Sequence, residues 1–219
     1  MTTSNESAGS AAARTPLSRD RVLDGAMRVA DAEGLASLTI RSLARELGVK
    51  PMSVYHYVGG KEEIIDGIVD CVFGEMDLPG AQVDWRPEMH RRCRSVRAVL
   101  RRHPWAIPLL QSRTRPGRAT LRHLDAVIGC LRAAGFSLEQ TAHAYALIDS
   151  YVYGFALSEA SLPINGPETV SEVAESMMVA YLAADHPNLL EFTTGHVLQP
   201  GYDFGLEFDY GLGLILDAL

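Results

Sequence analysis

The 219-residue sequence predicts an all-α protein, a small three-helix head followed by a larger helical domain. Apolar residues recur at three- and four-residue spacing from Ser18 onward, and in the larger part no strand-like alternation competes. Two very short periodic segments stand close together between Thr39 and Gly60, with only Gly48, Val49 and Lys50 as a turn between them. Glycines and prolines then punctuate the longer periodic stretches.

Residues 1–16 are rich in Ser, Thr, Ala and Asn without apolar period, and are expected to form a disordered arm. From Ser18, a fitting N-cap, Val22, Ala26, Val29 and Ala30 share one helical face, and Gly34 stops that helix after Glu33. Thr39 caps a short helix whose Leu43, Ala44 and Leu47 point inward, and Gly48 ends it. Pro51 opens the next helix at a position where its missing N–H costs nothing, and Gly59-Gly60 closes it after about two turns. Residues 17–62 form the head. The apolar positions Ile64, Ile65, Ile68, Val72, Phe73 and Met76 extend a connecting helix, assigned to 63–80 and ended by Leu78-Pro79-Gly80. Residues 81–219 make up the second domain, with helices expected near 86–102, after Pro104, and near 118–134, 138–160, 168–184 and 206–219. The clearest loop is Pro163 to Pro167.

Nearly half the residues, 47%, are hydrophobic, which suits a chain with one or two sizeable cores and excludes a disordered or disulfide-dependent one. No run approaches the roughly 18 apolar residues of a membrane span, and the first sixteen residues lack a signal-peptide pattern. A cytoplasmic protein without a membrane partner is expected. Cys71, Cys93 and Cys130 are odd in number and widely spaced, which reads as free, buried thiols without a zinc site.

Two short helices about a three-residue turn, with a third helix in front, are the geometry of a helix-turn-helix DNA reader. Ala44 permits close approach, Gly48 supplies a left-handed turn, and Val54 fills the angle. An ordinary αα-corner would need the same small residues, but not an exposed short helix carrying Lys50, Met52, Ser53, Tyr55 and His56.

The run Leu38-Thr39-Ile40-Arg41-Ser42-Leu43-Ala44-Arg45-Glu46-Leu47-Gly48-Val49, followed by Val54-Tyr55-His56-Tyr57-Val58-Gly59-Gly60-Lys61, resembles the DNA-binding head of the TetR family of bacterial repressors. The resemblance implies that Arg41 reads bases and that Pro51, Met52 and Ser53 face the groove. It further implies that Tyr55, His56, Tyr57 and Lys61 contact phosphates or thymine methyls. These residue types suit the roles: arginine forks onto guanine, while tyrosine hydroxyls and lysine hold phosphates. Thr39 is expected to donate to phosphate while it caps, and Lys50 joins the DNA-binding set. His56 stands where tetracycline repressors carry tryptophan, and Met52 also departs from them, so only the mode of binding transfers.

Further along, Thr114-Arg115-Pro116, Ala134-Gly135-Phe136-Ser137-Leu138-Glu139, Gly154 and Phe208-Asp209-Tyr210-Gly211-Leu212-Gly213-Leu214-Ile215 resemble the tetracycline-repressor type of C-terminal domain. The resemblance implies a homodimer through the helix near 138–160 and the last helix, with Tyr153, Leu212, Ile215, Leu216 and Leu219 at the interface; the same stripe would also serve as internal core. It implies an effector pocket at Arg92, Val96, Gln111, Thr114, Val127, Tyr145, Asp149 and Ser150, with the turn around Thr114 as a lid. Gln111, Ser150 and Ser158 occupy the positions that anchor magnesium-bound tetracycline, so neither metal nor cofactor is expected. Arg92 and Asp149 suit either a grip on a polar effector or an ion pair between two helices.

The net charge is −7, yet residues 85–132 hold twelve arginines against two acids, and residues 133–219 hold twelve acids and no lysine or arginine. The arginine-rich block therefore reads either as a nucleic-acid surface or as a partner for the acidic part. No histidine pair has metal or triad spacing, and no nucleophile elbow, P-loop or dinucleotide motif occurs, so no enzyme activity is expected. The expected function is a ligand-responsive regulator, most simply a repressor released from a palindromic double-stranded DNA operator by a small-molecule effector. The competing reading is a small-molecule-binding helical module in which the head is only a scaffold.

Overall fold

A computed structural model describes residues 16–81, 84–162 and 186–219. The expected helix at 168–184, the loop at 163–167 and all of the N-terminal arm except Pro16 lie outside these residues. The described residues contain helices and turns and no strand: α1 Arg19–Glu33, α2 Ile40–Leu47, α3 Pro51–Val54, α4 Lys61–Gly74, α5 Trp85–Arg102, α6 Arg118–Ala133, α7 Leu138–Ser161, α8 Pro187–Phe192 and α9 Leu206–Ala218. None of the helices among them is long and apolar enough to cross a membrane. The chain forms two compact units, one up to Ile68 and one from Val69, and the division falls within α4.

In the first unit, Ser18 accepts from the Arg21 N–H and starts α1, while Gly34, at φ 79°, ends it. Thr39 and Ser42 form a reciprocal capping box at the start of α2: the Ser42 N–H donates to Thr39 Oγ1 at 3.0 Å and the Thr39 N–H to Ser42 Oγ at 2.9 Å. Gly48 adopts the left-handed conformation at φ 65°, and the Val49 N–H returns to the Ala44 carbonyl at 3.0 Å. A Cβ on Gly25 would lie 2.7 Å from Leu47 Cδ2, so glycine sets the approach of α1 and α2. Val22, Ala26, Leu38, Leu43, Leu47, Val54, Ile64 and Ile68 form the core beneath.

Three expected elements differ. The regular part of α3 is one turn, because the Tyr57 N–H closes onto Val54 in a tighter i to i−3 bond. α4 stops at Gly74 rather than running to 80: Glu75 and Met76 make i to i−3 bonds, and the Glu75 carboxylate is drawn 2.6 Å from Arg102. Pro187, expected only as a breaker, opens α8, which passes into a π-helical turn at Thr193–Val197.

The second unit packs α6, α7 and α9 about α5. Its core comprises Met89, Cys93, Val96 and Leu100 of α5 with Val127, Leu131, Ile148, Val152, Phe208 and Leu212. Cys93 and Cys130 are buried free thiols, while Cys71 is only partly covered. The arginine-rich α5 faces the acidic helices: Arg92 pairs with Asp149 at 2.7 Å, Arg97 with Glu159 at 2.6 Å, and Arg94 with Asp209 at 2.8 Å. Arg97 also lies over the rings of Phe155 and Phe208, at 5.1 and 4.9 Å, and donates to the Gly205 carbonyl at 3.0 Å. Much of the arginine block is thus spent within this unit.

Candidate nucleic-acid interface and ligand site

The turn at Gly48 aims the start of α3 outward. Pro51 and Met52 are exposed, Met52 at 71%, with Ser53 half-buried and Val54 anchoring the helix from beneath. Tyr55, His56 and Tyr57 follow, all exposed. Thr39, Arg41, Lys50 and Lys61 are exposed as well. Arg41, Lys50 and Lys61 form no ion pair with described residues, whereas Arg28 and Arg45 on the same unit are held by Glu46 and Glu33 at 2.6 and 3.5 Å. Among the described residues of this unit, Arg28 and Arg45 thus join α1 to α2 and Arg19 lies 3.8 Å from Glu63 of α4, while Arg41 on α2, Lys50 before α3 and Lys61 at the start of α4 stay exposed without such a pair. Such a surface offers a forked donor, apolar groups and phosphate-binding cations together, the set that reads a DNA groove.

In the second unit, Arg92 of α5 is fully buried and carries the polar cluster. Its Nη1 donates to Asp149 Oδ1 of α7 at 2.7 Å, and its Nε and Nη2 both meet His123 Nε2 of α6, at 3.1 and 2.9 Å. Burial opposes the Arg92 charge, but Asp149 outweighs it and raises the guanidinium above its ordinary range. His123 is held down to about 3, by burial and then by the adjacent guanidinium. Burial and then Asp149 push Tyr145 up to about 12; the same causes raise Tyr153, and burial moves Cys93 up to about 11. His123 Nδ1 and Asp149 Oδ2 are buried without a hydrogen-bond partner among the described residues.

Of the expected effector residues, Arg92, Val96, Val127 and Asp149 are buried, and Tyr145, half-buried, lies beside Asp149. Of the two roles open to Arg92 and Asp149, the ion pair is present. Gln111 and Thr114 are exposed on the turn after the 3₁₀ segment Pro104–Leu109. Ser150 departs from expectation: it is exposed on the outer stripe Leu147, Ser150, Gly154, Leu157, because one residue along a helix turns about 100° away from Asp149. None of the eight lines the open groove of about 610 Å³ over α5, whose Arg91 and Arg94 are already bound to Asp77, Glu88 and Asp209.

Burial divides the expected dimer stripe. Leu212 and Leu216 are 0% and 3% exposed inside the unit's own core, and Tyr153 lies beside Arg92 and Asp149. Ile215 and Leu219 are half-buried. The outward face of α9 is instead Leu206, Tyr210 and Leu214, at 64%, 70% and 57% exposure. His123 was not singled out from the sequence; its place on the buried α6 stripe Thr120, His123, Val127, Cys130 is the signal that marks it.

Comparison with known proteins agrees with both halves. Residues 22–68 match the family model for bacterial regulatory proteins of the tetR family, and residues 78–219 match that for the tetracycline repressor-like C-terminal domain. The HTH-type transcriptional repressor DrrR1 of Streptomyces coeruleorubidus is 33% identical over 211 residues, spanning 93% of this chain and 77% of that protein. The class A tetracycline repressor from transposon 1721 in Escherichia coli is 27% identical over 208 residues, 94% of this chain and 91% of that one. The crystal structure of ActR from Streptomyces coelicolor in complex with actinorhodin superposes with a TM-score of 0.76 at 28% identity, covering 93% of this chain and 95% of that one. A helix-turn-helix head followed by a helical unit of this kind, both matched by the family models, makes the chain a member of the TetR family of DNA-binding transcriptional regulators.

Proposed function

We propose that the protein is a cytoplasmic homodimeric repressor, without enzyme activity, released from a palindromic operator by a small molecule bound in the second unit. The observation that carries this reading is the exposed start of α3, Pro51 and Met52, together with Arg41, Lys50 and Lys61, exposed and without an ion pair among the described residues. A head this small makes few base contacts, so specificity calls for two heads on two half-sites about one helical turn or a multiple apart. The exposed face Leu206, Tyr210 and Leu214, with Leu147 and Leu157 of α7, supports pairing with a second copy. Gly154 and Gly213 have open space where a Cβ would stand, which suits close helix approach.

The effector is assigned to the neighbourhood of Arg92, Tyr145 and Asp149, with Val96 and Val127 as apolar walls and the Gln111–Thr114 turn as entrance. A buried charge cluster with an orphan donor and an orphan acceptor supports this, since a polar ligand would satisfy both. ActR, similar over nearly the whole chain, has been crystallised with actinorhodin and with (S)-DNPA. Effector binding shifts α4 and with it the separation of the two heads.

Selection of bound DNA from a random pool tests the reading. A short palindrome whose binding weakens by orders of magnitude between about 50 and 200 mM salt is expected of a reader making several phosphate contacts. Recovery of no preferred sequence would favour the head as a mere scaffold.

A further inference from the structure

We propose that Asp70, on the second half of α4, is the positioning residue through which the ligand cluster governs α4; the inference rests on the effector reading above. α6 begins at Gly117 with no side-chain cap of its own. Its first donors are met by Asp70: the Thr120 N–H and Thr120 Oγ1 donate to Oδ1, both at 2.8 Å, and the Ala119 N–H to Oδ2 at 3.3 Å. A carboxylate at a helix N-terminus is doubly favoured, by hydrogen bonds to a charged acceptor and by the helix dipole. Here the cap comes from another helix, so α6 cannot leave without breaking its own terminus. The seat is also exclusive: a Cβ on Gly117 would stand 2.1 Å from the Asp70 carboxyl carbon.

A second rung lies one turn along. Phe73, three residues after Asp70, meets His123, three residues after Thr120, edge-on with ring centroids 5.5 Å apart. His123 is also the acceptor for two nitrogens of Arg92, which is paired with Asp149. A ligand that draws Arg92 or Asp149 into new bonds therefore disturbs His123, and α6 passes the displacement to α4 through Thr120 and Asp70. The N-terminal half of α4 carries the buried Ile64, Ile65 and Ile68.

Hydrogen exchange of the full chain, free of DNA and ligand, tests the clasp. Asp70→Asn should speed exchange roughly tenfold over 61–74 as well as 118–121, the order expected for lost charged hydrogen bonds, while α7 and α9 keep wild-type rates. Gly117→Ala should reproduce the pattern, and Thr120→Ser, which keeps the hydroxyl, should not. Faster exchange confined to 118–121, or spread evenly through α7 and α9, would overturn the proposal. As a functional readout, the selected operator and versions with half-sites moved one or two base pairs apart are compared. Asp70→Asn should lose most of the wild-type discrimination between spacings; unchanged discrimination would count against the clasp. If wild-type protein selects no operator, the regulator reading fails, and the exchange result still decides whether Asp70 couples α6 to α4.

Discussion

Arg92 donates from two nitrogens to a single atom, Nε2 of His123, at 3.1 and 2.9 Å. A guanidinium only donates, so Nε2 supplies its lone pair and the imidazole proton resides on Nδ1. His123 is therefore a neutral acceptor within a buried ion-pair cluster, with its Nδ1–H turned to a place where no described residue accepts it.

This neutrality makes stability depend on pH. The His123 imidazole ordinarily titrates near 6.5, and in the folded chain it is held at about 3. Between these values the unfolded chain binds a proton that the folded chain refuses, so this contribution is complete above about 6.5 and is lost as the pH falls toward 3. Urea titrations from pH 7 to 4 should show the wild type losing stability more steeply than His123→Gln, by at most about 1.4 kcal/mol per pH unit for one proton. Parallel curves would contradict the assigned tautomer and its burial.

The Arg92–Asp149 pair should be costly to break and cheaper to replace. Asp149→Asn leaves a fully buried guanidinium without its counter-charge and should destabilise the protein by about 3–5 kcal/mol in denaturant unfolding. Replacing both partners, Arg92→Met with Asp149→Leu, should restore much of that loss. A double variant as unstable as the single one would show that His123 and Tyr153 depend on the pair for their own satisfaction.

At the proposed DNA-contacting surface, Arg41→Ala and Tyr55→Ala should each weaken operator binding by about 1–3 kcal/mol in fluorescence anisotropy. Both side chains are exposed, so thermal midpoints and dimer mass should stay at wild-type values. Lys61→Ala should weaken all sequences alike and lower the salt slope by about one.

The two faces of α9 should separate stability from assembly. Leu212→Ala empties a fully buried site and should cost about 2–5 kcal/mol of unfolding free energy. Leu214→Glu, on the exposed face, should leave the fold intact and halve the mass seen by light scattering. If Leu214→Glu remained dimeric, the Leu206, Tyr210, Leu214 face would not be the interface.

Much of the first unit was legible because its signals are local. Ser18, Thr39 and Gly48 act through hydrogen bonds to residues a few positions away, and a cap or a left-handed turn is written into three or four consecutive residues. The helix ends at Glu33, Arg102 and Ala133 followed from the same punctuation, whereas α4 stopped early because Glu75 found Arg102 some way along the chain.

The last helix shows where such reading ends. Phe208, Leu212 and Leu216 repeat every four residues, and so do Leu206, Tyr210 and Leu214; a helix apolar on both sides does not say which side faces its own core. Packing against α5 and α7, with Arg97 over the touching rings of Phe155 and Phe208, made that choice. The meeting of Arg92, His123 and Asp149 was likewise a tertiary decision, since three helices must converge before a buried charge finds its partners. Residue order alone determined an all-helical chain with a DNA-reading head, because caps, turns and periodicity are short-range. Which polar groups are buried together, and which apolar stripe is left exposed, depended on long-range packing, because burial is a property of the assembled helices and not of any one of them.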